Sequence, residues 1–189
     1  RAREWGSTLV PLARFNHDTK TTRYNDGKCD PMGRFWAGTV YEPRDARKAD
    51  LYCIDCRPEN GNGGKAQVSL KAHNAITANG LAWSADSHTL YWADTSTHTI
   101  RAWDWDAEAG LLSHERVFHR FAPKPEGWTG GPGYGGRPDG ATMDADGNYW
   151  VAMYEGARVC QLAPDGRLLR EIAVPAQCPT MPCLGGADL

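Results

Sequence analysis

Gly136-Arg137-Pro138-Asp139-Gly140-Ala141-Thr142-Met143 runs into Asp144-Ala145-Asp146-Gly147-Asn148-Tyr149-Trp150-Val151-Ala152-Met153, and the same layout occurs twice more upstream. Asp139-Gly140 reads as a tight turn ahead of a strand-like run over 143–153, rich in β-branched and aromatic residues. Counting back from an aromatic-Trp pair, Asp30, Asp86 and Asp144 each stand six residues before Trp36, Trp92 and Trp150. Phe35, Tyr91 and Tyr149 directly precede those tryptophans. Further upstream each stretch carries an Asx-Gly pair: Asp26-Gly27 (with Asn25 before it), Asn79-Gly80 and Asp139-Gly140. The Trp-to-Trp intervals are 56 and 58 residues. Self-similarity at a fixed period is the mark of a repeat architecture.

Strand patterns fill the space around these landmarks. They fall at 33–40, 49–56 and 66–72, then at 81–83, 89–94, 99–105 and 111–121, then at 141–143, 149–153, 159–163 and 168–174. Polar and Asx-Gly turns separate them, as in Pro58-Glu59-Asn60-Gly61-Asn62-Gly63-Gly64-Lys65 and Ala163-Pro164-Asp165-Gly166. Residues 1–16 read as the end of a preceding repeat, 17–30 as polar and turn-forming, and 41–50 as a loop. The Gly- and Pro-rich stretch 122–138 reads as a long loop over one face; no Lys-Ser/Thr and no helix follow it, so the phosphate-loop template fails. No stretch has a helical period. Four strands per repeat of about 50 residues is the arithmetic of a β-propeller blade. The expected fold is all-β: three complete blades with edges of others at each end, about four blades' worth of chain. These form a single partial propeller domain over 1–189. Propellers close with at least about four blades, so the chain reads as part of a ring.

Composition agrees and excludes other classes. Eight Trp, 21 Gly and 12 Pro in 189 residues favour a turn-rich β protein. A net charge of −2 gives no electrostatic footprint for nucleic acid or an anionic membrane. No apolar run reaches the ~20 residues that span a bilayer. The opening Arg1-Ala2-Arg3-Glu4-Trp5 lacks the apolar segment of a signal peptide, and a cytoplasmic location is expected. Six cysteines are too sparse for a disulfide scaffold. Cys53-Ile54-Asp55-Cys56 has the spacing of a redox pair or half a zinc site. It lies in a strand pattern, however, and Cys178 with Cys183 is a poor second pair for zinc. Strand cysteines whose side chains need not meet is the expected outcome.

In a propeller, equivalent positions of successive blades converge near the central axis. Asn25, Asn79 and Asp139 lie 11, 13 and 11 residues ahead of their tryptophans, so they are expected to point into one shared space. Amide and carboxylate oxygens are hard donors suited to Ca²⁺, Mg²⁺ or Mn²⁺. An Asx-Gly pair alone is ordinary turn chemistry; three in matching register point to an axial site.

These residues also carry a family resemblance. Arg23-Tyr24-Asn25-Asp26-Gly27-Lys28-Cys29-Asp30-Pro31-Met32-Gly33-Arg34-Phe35-Trp36-Ala37-Gly38-Thr39 resembles a signature of the regucalcin/gluconolactonase (senescence marker protein) family. Asn79-Gly80-Leu81-Ala82-Trp83-Ser84, Pro138-Asp139-Gly140, Asp144-Ala145-Asp146-Gly147 and Tyr149-Trp150-Val151-Ala152 resemble further segments of it, in the right order. Gly185-Gly186 resembles the glycine pair of its closing repeat. The resemblance implies a six-bladed propeller that hydrolyses sugar lactones, with one divalent metal (Ca, Zn, Mn or Mg) on its axis. Carried over, Asn79 and Asp139 are metal ligands, Asp139 is also the acid/base, and Arg23 and Asn25 bind the substrate. The small-molecule sugar lactone is then the partner, with no nucleic acid and no membrane involved. The family's first-blade Glu, in a Gly-Glu-x-Pro-x-Trp segment, has no counterpart here. The first blade and the closing strands are therefore expected to be missing. Two alternatives stay open: a non-catalytic partial propeller that binds calcium or a partner, and a related esterase or phosphotriesterase on the same scaffold.

Overall fold

The computed structural model describes residues 4–15 and 17–186. Three four-stranded antiparallel meanders account for almost all regular structure. The first sheet comprises β1 (Thr22–Cys29), β2 (Phe35–Tyr41), β3 (Ala49–Asp55) and β4 (Gln67–Ala75). The second comprises β5 (Ala78–Trp83), β6 (Thr89–Asp94), β7 (Thr99–Asp106) and β8 (Leu111–Arg120), and the third β9 (Arg137–Met143), β10 (Tyr149–Tyr154), β11 (Arg158–Leu162) and β12 (Leu168–Ala173). The only helical element among the described residues is a 3₁₀ turn at Thr95–Thr97. Strand β5 packs between β1 and β9, so the first strand of each sheet is the innermost and the sheets succeed one another as propeller blades. No helix among the described residues is long and apolar enough to cross a membrane.

The period-2 alternation of strands explains how the blades stack. Trp83, Leu90 and Trp92 of the second blade join Trp36 and Leu51 of the first in one core cluster. Ala82, Tyr91 and Ile100 join Tyr149, Val151 and Met153 of the third blade in another. The middle blade is thus covered on both faces, and every residue of β5 is buried. Burial of each large side chain here contributes about 1.5–3 kcal/mol. Of the cysteine pair, Cys53 lies in β3 and Cys56 just beyond its end. Cys53 and Cys56 are free thiols, and burial pushes Cys53 up to about 11, which removes it from thiolate chemistry at neutral pH.

Four sequence expectations need correction. Residues 17–30 hold a strand, β1, whose side chains are mostly exposed or half-buried, so it lacks an apolar alternation to announce it. The run 143–153 is not one continuous strand: β9 ends at Met143, a turn with Gly147 at a φ of 80° follows, and β10 starts at Tyr149, as the separate patterns at 141–143 and 149–153 imply. The Asx-Gly pairs lie inside innermost strands rather than in turns, at irregularities of register between Tyr24 and Gly27, after Asn79, and opposite Val151 and Met153. The chain is also not strictly repeated. The turn joining β5 to β6 spans Ser84 to Thr89, one residue more than Asp30 to Arg34 or Asp144 to Asn148.

That extra residue flips the tryptophan to the other face. Trp36 pairs with Lys28 and Trp150 with Thr142, but the corresponding partner in the second blade, Ala82, pairs with Tyr91. The spaced aspartates differ accordingly. Asp30 and Asp144 each accept the indole N–H of Trp36 and Trp150 at 2.8 Å. Asp86 is exposed, and it accepts the Ser84 hydroxyl at 2.5 Å and the His88 N–H at 3.1 Å instead.

Candidate functional site

Asn25, Asn79 and Asp139 occupy one structural position in three blades. Each directly follows a residue paired with the position three beyond the aligned aromatic (Trp36, Tyr91 or Trp150): Tyr24 with Thr39, Ala78 with Asp94, and Pro138 with Met153. A bulge bends the strand there and re-aims the side chain. All three line a single cleft of about 420 Å³ at the axis, together with Asp26, Thr77, Thr95, Arg44 and Arg137.

Close approach of the inner strands depends on Gly80. Its φ is +56°, and a Cβ there would lie 2.4 Å from the Tyr149 hydroxyl and 2.9 Å from the Asp139 carbonyl. The Tyr149 hydroxyl donates to the Gly80 carbonyl at 2.5 Å and fastens the second blade to the third beneath the cleft.

Hydrogen bonding sets the orientation of the Asn79 amide. The Thr95 hydroxyl donates to the Pro138 carbonyl at 2.7 Å, so its lone pair receives the Asn79 Nδ2–H at 2.8 Å. The Asn79 oxygen is thereby turned toward Asn25, whose Nδ2 donates to it at 3.1 Å and to the Ala78 carbonyl at 2.9 Å. Arg23 stands beside this group and does not line the cleft. Its guanidinium pairs with Glu42 at 2.5 Å and donates to Asn25 Oδ1 at 3.1 Å.

Electrostatics single out Asp139. Burial, and then the charge of Asp26, push its carboxyl from 3.8 up to about 6; the Gly140 N–H and the Arg137 guanidinium oppose the shift. Burial also raises Asp26, which accepts the Leu81 N–H at 3.3 Å, and burial lowers Lys28, which donates to the Ala141 carbonyl at 3.1 Å. Both neighbouring carboxyls are raised, because burial outweighs the opposing charges of Arg137 on Asp139 and Lys28 on Asp26. The Asn79 oxygen and the Asp139 carboxylate are hard donors, and a divalent cation fits this set. Among the described residues no three His, Cys, Asp or Glu side chains converge as a metal site.

Sequence reasoning brought Asn25, Asn79 and Asp139 together, and it missed four of their neighbours. Arg137 was legible in principle, because it sits two residues before Asp139 on the same strand face. Asp26 was in plain view beside Asn25. Thr95 and Arg44 come from connections between strands, and no local spacing ties them to the axis.

The sequence profile described as SMP-30/Gluconolactonase/LRE-like region matches residues 4–189. A 6-deoxy-6-sulfogluconolactonase of Pseudomonas putida is 40% identical over 168 residues, which cover 89% of this chain and 52% of that protein. Regucalcin of Oryctolagus cuniculus is 32% identical over 187 residues, covering 96% of this chain and 56% of that protein. Among solved structures, the calcium-binding protein regucalcin of Agrobacterium tumefaciens superposes with a TM-score of 0.79 at 25% identity, over 96% of this chain and 55% of that one. A luciferin-regenerating enzyme superposes with a TM-score of 0.73 at 30% identity, over 90% and 52%. The chain spans about half the length of the curated relatives it matches. With a profile match over nearly its whole length and the three-blade register behind it, the chain belongs to the SMP-30/gluconolactonase/LRE-like family.

Proposed function

We propose that this chain carries the axial site of a metal-dependent sugar lactonase. The observation that supports the reading best is Asp139. It is a carboxyl held near 6, in one cleft with Asn25 and Asn79 and at their structural position. Asn79 and Asp139 would hold a divalent cation, which when bound supplies Lewis-acid polarisation of the lactone carbonyl and a more acidic water. Asp139 is largely ionised at pH 7 and able to take a proton from the attacking water. As the water oxygen bonds to the carbonyl carbon and the bond to the ring oxygen breaks, the same carboxyl returns the proton to the departing alkoxide. Arg23 and Asn25, bonded to each other at the margin of the cleft, are the groups for the substrate's hydroxyls and carbonyl. Relatives named lactonases in Pseudomonas putida and Bacillus subtilis support hydrolysis of a sugar lactone as the reaction class.

A second reading is a non-catalytic calcium-binding propeller, favoured by the relatives named regucalcin, one of them described as calcium-binding. Comparing turnover of D-glucono-1,5-lactone by the wild type and Asp139→Asn separates the two. The lactonase reading expects at least about a hundredfold loss with the fold intact. Equal rates would sink the role given to Asp139.

A further inference from the structure

The chain beyond β12 returns to the axis. The Val174 N–H bonds the Ala157 carbonyl at 2.9 Å and the Ala157 N–H bonds the Gln177 carbonyl at 3.1 Å, so the turn between β10 and β11 holds the segment. The Gln177 side-chain amide donates to the Glu155 carbonyl at 2.5 Å as well. Cys178-Pro179-Thr180-Met181-Pro182 follows. A proline disfavours helical backbone at the residue before it, which steers Cys178 and Met181 to extended conformations. Neither proline has an N–H to give a ladder, and the segment forms no regular strand. One bond sets its place: the Gly140 N–H donates to the Thr180 carbonyl at 2.8 Å.

That bond continues the axial series. Gly80 follows Asn79, and a Cβ on it would lie 2.9 Å from the Asp139 carbonyl oxygen on the next innermost strand. Gly140 follows Asp139, and a Cβ on it would lie 2.6 Å from the Thr180 carbonyl oxygen. The step from Asn79 to Asp139 is thus repeated from Asp139 to Thr180, and Thr180 lines the same cleft. Met181 lines it too, its thioether lying against the face of Gly140 that lacks a Cβ.

The other serine and threonine hydroxyls of the cleft are committed. Thr95 donates to the Pro138 carbonyl and accepts from Asn79, while Thr77 and Ser96 bond each other at 2.8 Å. The Thr180 hydroxyl has no hydrogen-bond partner among the described residues. It can donate and accept at once, as a sugar hydroxyl requires of its partner.

We propose that Thr180 is a further substrate-binding residue, whose hydroxyl bonds a ring hydroxyl of the lactone on the side of Asp139 remote from Asn79. This rests on the lactonase reading above and deepens it. Blade order gives the direction: Asn79, Asp139 and Thr180 follow one another around the axis, so a carbonyl held at the first two places its neighbouring ring carbons toward the third. A polyhydroxylated ring uses that contact, and an unsubstituted lactone does not.

The test uses D-glucono-1,5-lactam, which keeps the ring and its hydroxyls but resists hydrolysis. Its binding to the 189-residue chain is measured by titration calorimetry in EDTA. Thr180→Val keeps the shape without the hydroxyl and should bind the lactam about three- to tenfold more weakly. Thr180→Ser keeps the hydroxyl and should stay within about twofold of wild type. Thr180 is exposed, so the urea midpoints of both variants should match wild type. Unchanged affinity in Thr180→Val, a loss that Thr180→Ser shares, a loss accompanied by a fall in the urea midpoint, or no saturable binding by the wild type would overturn the proposal. Hydrolysis of D-glucono-1,5-lactone by the wild type with metal tests the other reading separately. Weaker lactam binding by Thr180→Val, with no hydrolysis by the wild type, would support the Thr180 contact and overturn the lactonase reading.

Discussion

Replacing Asp139 by Asn should stabilise the metal-free protein at neutral and alkaline pH. The side chain keeps its shape and loses a charge that the fold disfavours. A carboxyl whose folded value is about 6 against an ordinary 3.8 is penalised when ionised. At 1.36 kcal/mol per pH unit that is about 3 kcal/mol above pH 6, and partial exposure of the group brings it to about 2 kcal/mol. The sign follows from the upward displacement. Relative to a protonated carboxyl, stability is fully present below pH 4, falls as pH rises through 6, and is absent at pH 8. Asn cannot ionise and stays on the favourable side throughout. Urea unfolding followed by tryptophan fluorescence, in EDTA, is the assay. The variant should exceed the wild type by about 2 kcal/mol at pH 8, and the gap should close by pH 4. A gap that is absent at pH 8, or the same at both pH values, would refute the picture of an uncompensated carboxyl beside Asp26. A site residue that opposes folding in this way is where functional selection is expected to show.

Asn79→Ala removes the oxygen that Thr95 orients, and should weaken Ca²⁺ or Mn²⁺ binding at least about tenfold by calorimetry; an unchanged isotherm would argue against a ligand role. Gly80→Ala faces both a φ of +56° and a Cβ placed 2.4 Å from the Tyr149 hydroxyl, and should destabilise by about 2–4 kcal/mol. A urea midpoint within error of wild type would contradict that close approach. Asp30→Ala strips the partner from Arg34, paired at 2.6 Å with side chains 3% and 0% exposed, and should cost about 3–5 kcal/mol. Asp86→Ala, on the surface, should stay within about 0.5 kcal/mol. Similar losses at both aspartates would mean that the second blade repeats the first after all.

Most of the architecture was legible because burial writes itself into alternation. Thr89–Asp94 was read residue for residue, since it is apolar on a blade covered on both faces. Strand β1 was not, because its side chains meet the open cleft and a face only partly covered, by Phe15 against Tyr24, and its polar residues give no pattern. The repeat of Asp and Trp was real in two blades and accidental in the third. Asp86 and Trp92 keep the six-residue spacing, yet a turn longer by one residue gives the two different roles. The axial trio survived that slip because backbone pairing, not distance to a tryptophan, aligns Asn25, Asn79 and Asp139. What sequence could not supply was the cleft's other chemistry. Thr95 and Arg44 reach it through turns whose path only tertiary structure reveals.

The most direct test of the central claim is proton release from D-glucono-1,5-lactone by this chain, with Ca²⁺, Mn²⁺ or Zn²⁺ added and with EDTA, against the spontaneous rate. A metal-dependent rate that EDTA abolishes, and that the same metal restores, is the expected result. Release no faster than the spontaneous rate with every metal, or a rate indifferent to EDTA, would contradict a metal-dependent lactonase site at Asn79 and Asp139.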